Sequence, residues 1–441
     1  MTESQHSTER SREKAVIVGM IAQGVDPEAA LAEIRELLDT AGVDAIGELV
    51  QRREDPHPVT FIGSGKLKEL LQLVEHLDPD IVVIDEELTP RQQRALEDKL
   101  ERRVVDRTAV ILDIFALHAH TAEGKVQVEL AQLDYNLARM RGMWKHLEKL
   151  AGGIGTRGPG ESQLETDRRL ARDRIAFLRR KIKELSVRRD TQRSKRQDSV
   201  IPKIALAGYT NAGKSTLLNA LTGSTVSMAN RLFETLDPTT RGFERGGRRY
   251  LITDTVGFIE RLPHGLVDAF SSTLEETLLA DCVVLVADGS LANDKMQAQI
   301  SAVRDVLLEI GAGDLPTLLC LNKIDQVDEA TREQLMRQHP GAVLVSAIDK
   351  LNLDGLMDAI AASFADRWER VELLVPYADA GVISELYDAG APVVREDAED
   401  GIHASAHLPK RMIGRVAKWR LTPEEVAERA KPEPEPVETT P

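Results

Sequence analysis

The densest chemistry in this chain lies at GYTNAGKST, residues 208–216. Gly208 and Gly213 bracket Tyr209, Thr210, Asn211 and Ala212, and Lys214 and Ser215 follow, which is the G-x4-G-K-[ST] spacing of a phosphate-binding loop. Glycines let successive backbone N–H groups curl around phosphate oxygens, and the positive end of the next helix faces the same point. Lys214 supplies a point charge to the β- and γ-phosphates, and the Ser215 hydroxyl suits Mg2+. The surroundings agree: KIALA reads as a strand and LLNALTG as a helix, the strand–turn–helix setting in which the motif acts.

Segments further on select the nucleotide. After the apolar run TLLCL comes NKID, formed by Asn322, Lys323, Ile324 and Asp325. A carboxylate at Asp325 accepts two hydrogen bonds from the N1–H and exocyclic amine of guanine, a donor pair that adenine lacks. Losing such a contact costs on the order of a few kcal/mol, so GTP is expected over ATP. In VSA, Ser346 and Ala347 place a backbone N–H to meet guanine O6. In DTVG, Asp254 ends a strand and reaches Mg2+ through its shell; Thr255 and Val256 follow, and the Gly257 N–H faces the γ-phosphate.

Between the loop helix and that strand lies LFETLDPTTR, where a mobile switch is expected. Thr235 is the expected Mg2+-touching hydroxyl, with Thr239 and Thr240 as rivals that spacing alone does not separate. Phe258 stands where a glutamine would orient the attacking water, so intrinsic hydrolysis is expected to be slow and completed by a partner or a residue from elsewhere. Asn211 has two readings, a K+ ligand or a turn-stabilising loop residue. His264 is read as structural. FIGSGK resembles a second phosphate loop at Gly63, Gly65 and Lys66, but it lacks the glycine five residues before Gly65 and is read as a tight turn with Ser64 capping a helix. His118 and His120 have no accompanying ligand framework, so no metal is expected there.

The elements that must carry these residues follow from pattern and length. At about 150 residues per domain, 441 residues imply roughly three domains. Tails are expected at 1–13 and 421–441. Residues 14–125 alternate β-branched runs (AVIVG, VTFIG, IVVID, VVD) with helical stretches, which predicts a largely parallel α/β domain. Residues 126–198 turn helical: Leu130, Leu133, Leu137, Met140, Trp144 and Leu147 step by three and four, as do Ala171, Ile175, Leu178, Ile182 and Leu185. Five glycines and one proline from Gly152 to Gly160 interrupt them, giving an antiparallel hairpin with a flexible tip. Residues 199–366 form a second α/β unit, and 367–420 a small α+β domain.

Charge sharpens this division. The chain carries 57 Lys and Arg against 72 Asp and Glu, a net of −15, which speaks against coating nucleic acid by bulk charge. Residues 139–196 alone hold 18 Lys and Arg against 7 Asp and Glu, a net of +11 that leaves −26 for the rest. A solvated helix face would explain this as well as a polyanion target does, and the glycine-rich, arginine-bearing tip favours the target. DNA is not expected as a partner. Cys282 and Cys320 sit in apolar runs and read as buried thiols of a reducing compartment. With no apolar leader and no span of about 18 apolar residues, a cytoplasmic protein without stable membrane insertion is expected, peripheral membrane association being the only such contact left open.

FIGSGK, DIFALHAHTAEGKVQVELAQLDY, GGIGTRGPGESQLETDRR, GYTNAGKSTLLNAL, FETLDPTT and DTVGFI together resemble the HflX family of ribosome-associated GTPases over roughly residues 15–370. The GTRGPGE linker with ETDRR is the most specific part. The resemblance implies a cytoplasmic GTPase, expected to be monomeric, that binds the large ribosomal subunit and splits or rescues stalled ribosomes. It places the N-terminal and helical regions on ribosomal RNA near the peptidyl-transferase centre. Carried over, GTP contacts fall on Gly208 to Ser215, on Phe233, Glu234, Thr235, Leu236 and Asp237, on Asp254 to Gly257, on Asn322 to Asp325, and on Ser346 and Ala347. Lys214, Thr235 and Gly257 carry the catalytic roles, and Mg2+ falls on Ser215 and Thr235. LHAH departs from the basic or amide-bearing segment expected there. Two other readings stand beside this one: an RNA-binding remodeller or assembly factor that GTP only regulates, and a scaffold that binds GTP without turning it over.

Overall fold

The computed structural model of the chain describes residues 12–53, 55–140, 159–197, 201–223, 232–233, 238–246, 248–259, 277–365, 368–388 and 390–429. The glycine-rich tip up to residue 158, His264 and the switch residues Glu234, Thr235, Leu236 and Asp237 lie outside the described residues, as do 1–11 and 430–441.

The first unit runs β1 (Glu13–Ile21), α1 (Pro27–Thr40), β2 (Val43–Arg52), α2 (Ser64–Leu77), β3 (Ile81–Ile84), α3 (Pro90–Leu100), β4 (Arg103–Asp106) and α4 (Arg107–His118). Its sheet, in the order β2-β1-β3-β4, is wholly parallel. Covered on both faces, it draws its central strands from the continuous apolar runs AVIV and IVVI. Helices start where side chains cap them: Asp26 before α1, a Thr89–Gln92 capping box before α3, and Asp106 before α4.

One expectation fails here. VTFIG is not a strand but a turn, with Phe61 at φ +60° and the His57 ring accepting from the Val59 and Thr60 N–H groups. Its apolar residues Phe61 and Ile62 are buried for packing against the sheet. The fourth strand is instead VDAIGELVQR, whose acidic residues suit a half-exposed edge.

Helices α5 (Ala122–Arg139) and α6 (Pro159–Gln197) form the hairpin. Ala171, Ile175 and Leu178 are buried, and Arg174 grips Glu129 at 2.7 and 2.9 Å while Arg179 meets Asp134 at 3.2 Å. These pairs flank the Leu130–Leu133–Leu137 seam on opposite sides, as antiparallel helices require. That seam is only half-buried. The fully buried residues Val128 and Ala131 of α5 join the first unit's core, and Tyr135 and Arg139 bind the buried Asp106 carboxylate at 2.8 and 2.9 Å. Helix α5 thus belongs to the first unit as much as to the hairpin. Helix α6 starts inside the glycine-rich segment, because a proline at the first helical position gives up no hydrogen bond.

The next unit contains β5 (Lys203–Gly208), α7 (Lys214–Thr222), β6 (Thr239–Arg245), β7 (Arg248–Asp254), β8 (Cys282–Asp288), α8 (Asn293–Glu309), β9 (Thr317–Asn322), α9 (Glu329–Gln338), β10 (Val343–Leu344) and α10 (Leu353–Ser363). The sheet order is β10-β9-β8-β5-β7-β6, parallel except for β6. Strand β6 was not foreseen and takes in Thr239 and Thr240. Cys282 and Cys320 are buried, and burial pushes the Cys320 thiol up to about 12.

The last unit pairs β11 (Trp368–Val375), β12 (Val393–Ala398) and β13 (Gly401–Pro409) antiparallel, in the order β11-β13-β12, with α11 (Gly381–Asp388) and α12 (Lys410–Val416). Beyond them α13 (Pro423–Arg429) occupies sequence expected to be frayed, because Thr422 and Glu425 cap each other's backbone N–H. Among the described residues, no helix is long and apolar enough to cross a membrane.

Candidate nucleotide site

Strand β5, central in its sheet, ends at Gly208, where any Cβ would overlap the Val286 carbonyl oxygen. The loop then turns through Asn211 at φ +59° and Gly213 at φ +89°. Asparagine tolerates that left-handed conformation, which supports the turn reading of Asn211. Gly213 precedes α7 with no side-chain cap, so the first N–H groups of that helix remain available to an anion.

Lys214 is buried, and its Nζ donates to the Gly208 and Tyr209 carbonyls, each at 3.0 Å. Burial lowers its pKa to about 8, a shift that Asp254 partly opposes. The Ser215 hydroxyl donates to Asp254 Oδ2 at 2.6 Å, bringing two hard oxygen donors together at the start of α7. Thr255 is buried and bonds the Leu206 carbonyl at 2.7 Å. Gly257 lies against the loop: a Cβ there would stand 2.7 Å from Thr210 Cγ2 and 3.1 Å from Lys214 Nζ. The Thr240 hydroxyl is bonded across the β6–β7 ladder to Thr253 at 2.9 Å.

Phe258 is zipped to the loop through its backbone, donating to the Gly208 carbonyl at 3.1 Å and accepting from the Thr210 N–H at 2.7 Å. Its ring is buried among Ala207, Val283 and Leu285. It therefore offers no group to a water molecule.

On the base side, Asn322 ties the segments together: its Nδ2 donates to the Ala212 carbonyl at 2.9 Å and its Oδ1 accepts from the Ala347 N–H at 3.0 Å. Lys323, at φ +64°, pairs with Asp288 at 2.7 Å. Ser346 is fully buried, and its N–H donates to the Leu351 carbonyl. The N–H groups of both Ser346 and Ala347 are thus engaged within the protein. Asp325 Oδ1 is buried with no hydrogen-bond partner among the described residues, which leaves an open acceptor there.

Sequence reasoning missed how the first unit grips this site. Tyr209 donates its hydroxyl to Glu33 of α1 at 2.6 Å, and Glu33 pairs with Arg107, which also holds Asp85 at 2.8 Å. Burial opposes the charge on Arg107, but Glu33 and Asp85 outweigh it and raise its pKa. Leu232, Phe233, Val256 and Ile259 join the first unit's core, with the Phe233 ring edge-on to Phe115 at 4.7 Å. The side chain of Phe233 is therefore committed to packing, not to a ligand. No local pattern links residues this far apart in the chain.

The FIGSGK segment is not built this way. Gly63, not Ser64, is the N-cap of α2, and it has no side-chain cap hydrogen bond; its N–H donates to Gln51 at 2.8 Å, and Lys66 pairs with Glu69.

A central strand feeding an uncapped helix through a glycine loop, with NKID and SA segments at the neighbouring strand ends, defines a P-loop GTPase of the α/β class. Family comparisons agree. The family described as "GTP-binding GTPase N-terminal" matches residues 28–116, "GTP-binding GTPase Middle Region" matches 118–196, and "50S ribosome-binding GTPase" matches 203–323. The chain is 43% identical to GTPase HflX of Caldanaerobacter subterraneus subsp. tengcongensis, covering 94% of this chain and 95% of that protein. It is 40% identical to GTPase HflX of Escherichia coli K12, covering 92% and 95%. A GTP-binding protein from Sulfolobus solfataricus in complex with GDP aligns at 26% identity over 79% of this chain and 98% of that one, with a TM-score of 0.42. The chain belongs to the HflX family and is a GTP hydrolase. The reading of a scaffold that does not turn GTP over is thereby set aside.

Proposed function

We propose that this protein binds the large ribosomal subunit from the cytoplasm and uses GTP to split or rescue stalled ribosomes, with the basic hairpin directed at ribosomal RNA near the peptidyl-transferase centre. The N–H groups from Gly213 to Ser215 at the uncapped helix start receive the phosphates, and Lys214 exchanges its two carbonyl partners for β- and γ-oxygens. The Gly257 N–H reads the γ-phosphate, and Asp325 accepts from the guanine N1–H and amine. With the N–H groups of Ser346 and Ala347 already bonded, Asp325 carries most of the base selection. The hard-oxygen pair Ser215–Asp254 fits Mg2+, with Thr235 as a further ligand; when bound, the ion neutralises phosphate charge. K+ at Asn211 remains part of the proposal, since its side chain is exposed beside the loop.

One observation carries the coupling of GTP to the hairpin. Phe233 stands two residues before Thr235 and Val256 one before Gly257, and both are embedded in the core that also holds α5. Movement of the two γ-phosphate-contacting loops must therefore displace that core, and with it the hairpin. On α6, Arg179 is partly occupied by Asp134, so Arg180 and Lys181, exposed on the same helix, are the better RNA contacts.

The test is GTP turnover with and without purified 50S subunits in K+ buffer. Subunits should stimulate it at least tenfold, and neutralising Arg180 and Lys181 should flatten the salt dependence of subunit binding by about two charges' worth of slope. Unstimulated turnover refutes the reading. Stimulation without dissociation of 70S ribosomes would favour an assembly or remodelling role.

A further inference from the structure

Phe258 leaves the hydrolytic site without a side chain to orient water, yet the chain hydrolyses GTP. Thr210, two residues past Gly208 in the phosphate loop, is 7% exposed, and its Oγ1 is buried with no hydrogen-bond partner among the described residues. Buried hydroxyls are bonded in nearly all cases, so one left open inside a binding loop calls for a ligand. Its place is specific. A Cβ added to Gly257 would lie 2.7 Å from Thr210 Cγ2, 2.9 Å from Thr210 Cα and 3.1 Å from Lys214 Nζ, so these three residues meet at one point, with the Thr210 methyl facing Gly257 and the hydroxyl one rotamer step away.

We propose that the Thr210 hydroxyl orients the attacking water against the γ-phosphate, the task for which Phe258 has no polar atom. This rests on the reading that Gly257 and Lys214 receive that phosphate. A hydroxyl suits the task because it accepts one hydrogen bond from the water while donating its own proton to a γ-oxygen. The water oxygen bonds to the γ-phosphorus as the bond to the β–γ bridging oxygen breaks, and the bond's electron pair leaves with GDP. One water proton passes to a γ-oxygen and the other stays on the attacking oxygen, giving dihydrogen phosphate. Thr210 ends unchanged.

The experiment compares wild type, Thr210→Val and Thr210→Ser for intrinsic GTP turnover without ribosomes, for GDP affinity, and for formation of the GDP–aluminium fluoride complex. Valine keeps the shape and removes the hydroxyl; serine keeps the hydroxyl. The expected result is a kcat loss of about 10²-fold in Thr210→Val, the scale of removing one well-placed hydrogen-bonding group, with GDP affinity within about twofold and a weakened fluoride complex. Thr210→Ser should stay within about threefold of wild type, since it restores that group. Wild-type turnover in Thr210→Val, equal losses in both variants, or a GDP affinity that falls in step with kcat would overturn the proposal. Because turnover is read without subunits, failure of 50S stimulation strikes the proposed function and leaves this test intact.

Discussion

Two glycine-lysine loops in this chain look alike as strings and differ as objects. GYTNAGKS leaves a central buried strand, bends through two left-handed residues and ends at an uncapped helix, with Lys214 buried over its own carbonyls. FIGSGK leaves a turn, spends its Gly63 N–H on Gln51 and points Lys66 at Glu69 near the surface. The lesson is that an anion site needs open N–H groups and a desolvated cation together, and glycine-lysine spacing alone supplies neither.

The contrast is testable in descending order of effect. Lys214→Ala should lower GTP turnover by about 10²–10³-fold, whereas Lys66→Ala should stay within about twofold by the same assay. Comparable losses would mean that the second loop also holds phosphate. Gly208→Ala should lower thermal stability by about 1–3 kcal/mol or more, because the added Cβ meets the Val286 backbone. Gly65→Ala, with nothing within 4 Å of its Cβ position, should be neutral or slightly stabilising. Denaturant melts of the two variants distinguish them.

The smallest effect is in pH. Lys214 titrates at about 8 in the empty site, and bound phosphates raise that value, so binding takes up a proton. Affinity for GDP should be full below pH 8 and weaken by up to about tenfold per unit above it, as calorimetry in two buffers would report. A flat profile would show that Lys214 keeps its charge in the empty loop.

Much of the candidate site was legible because its determinants are local. Gly208 and Gly213 are forced by close approach and a left-handed turn, and NKID sits where β9 ends. Strands β1, β3 and β8 announced themselves as apolar runs because both faces of a parallel sheet are covered. Edge strands β2 and β6 did not, since one exposed side admits charge. VTFIG misled for the converse reason: its apolar residues serve packing in a turn. Ser64 misled as a cap because Gly63 already begins the helix.

The sequence by itself determined the class of chemistry and the concentration of positive charge in one helical segment, and it singled out the carboxylate proposed to read guanine, since each depends on residues a few positions apart. Only the tertiary structure decided that Tyr209 answers to Glu33, that Phe233 and Val256 are sunk in the first unit's core, that Arg179 is held by Asp134, and that the Thr210 hydroxyl is buried without a partner among the described residues. These depend on side chains far apart in the chain, 176 residues for Tyr209 and Glu33, and backbone pattern carries no record of which distant partner a buried group will meet.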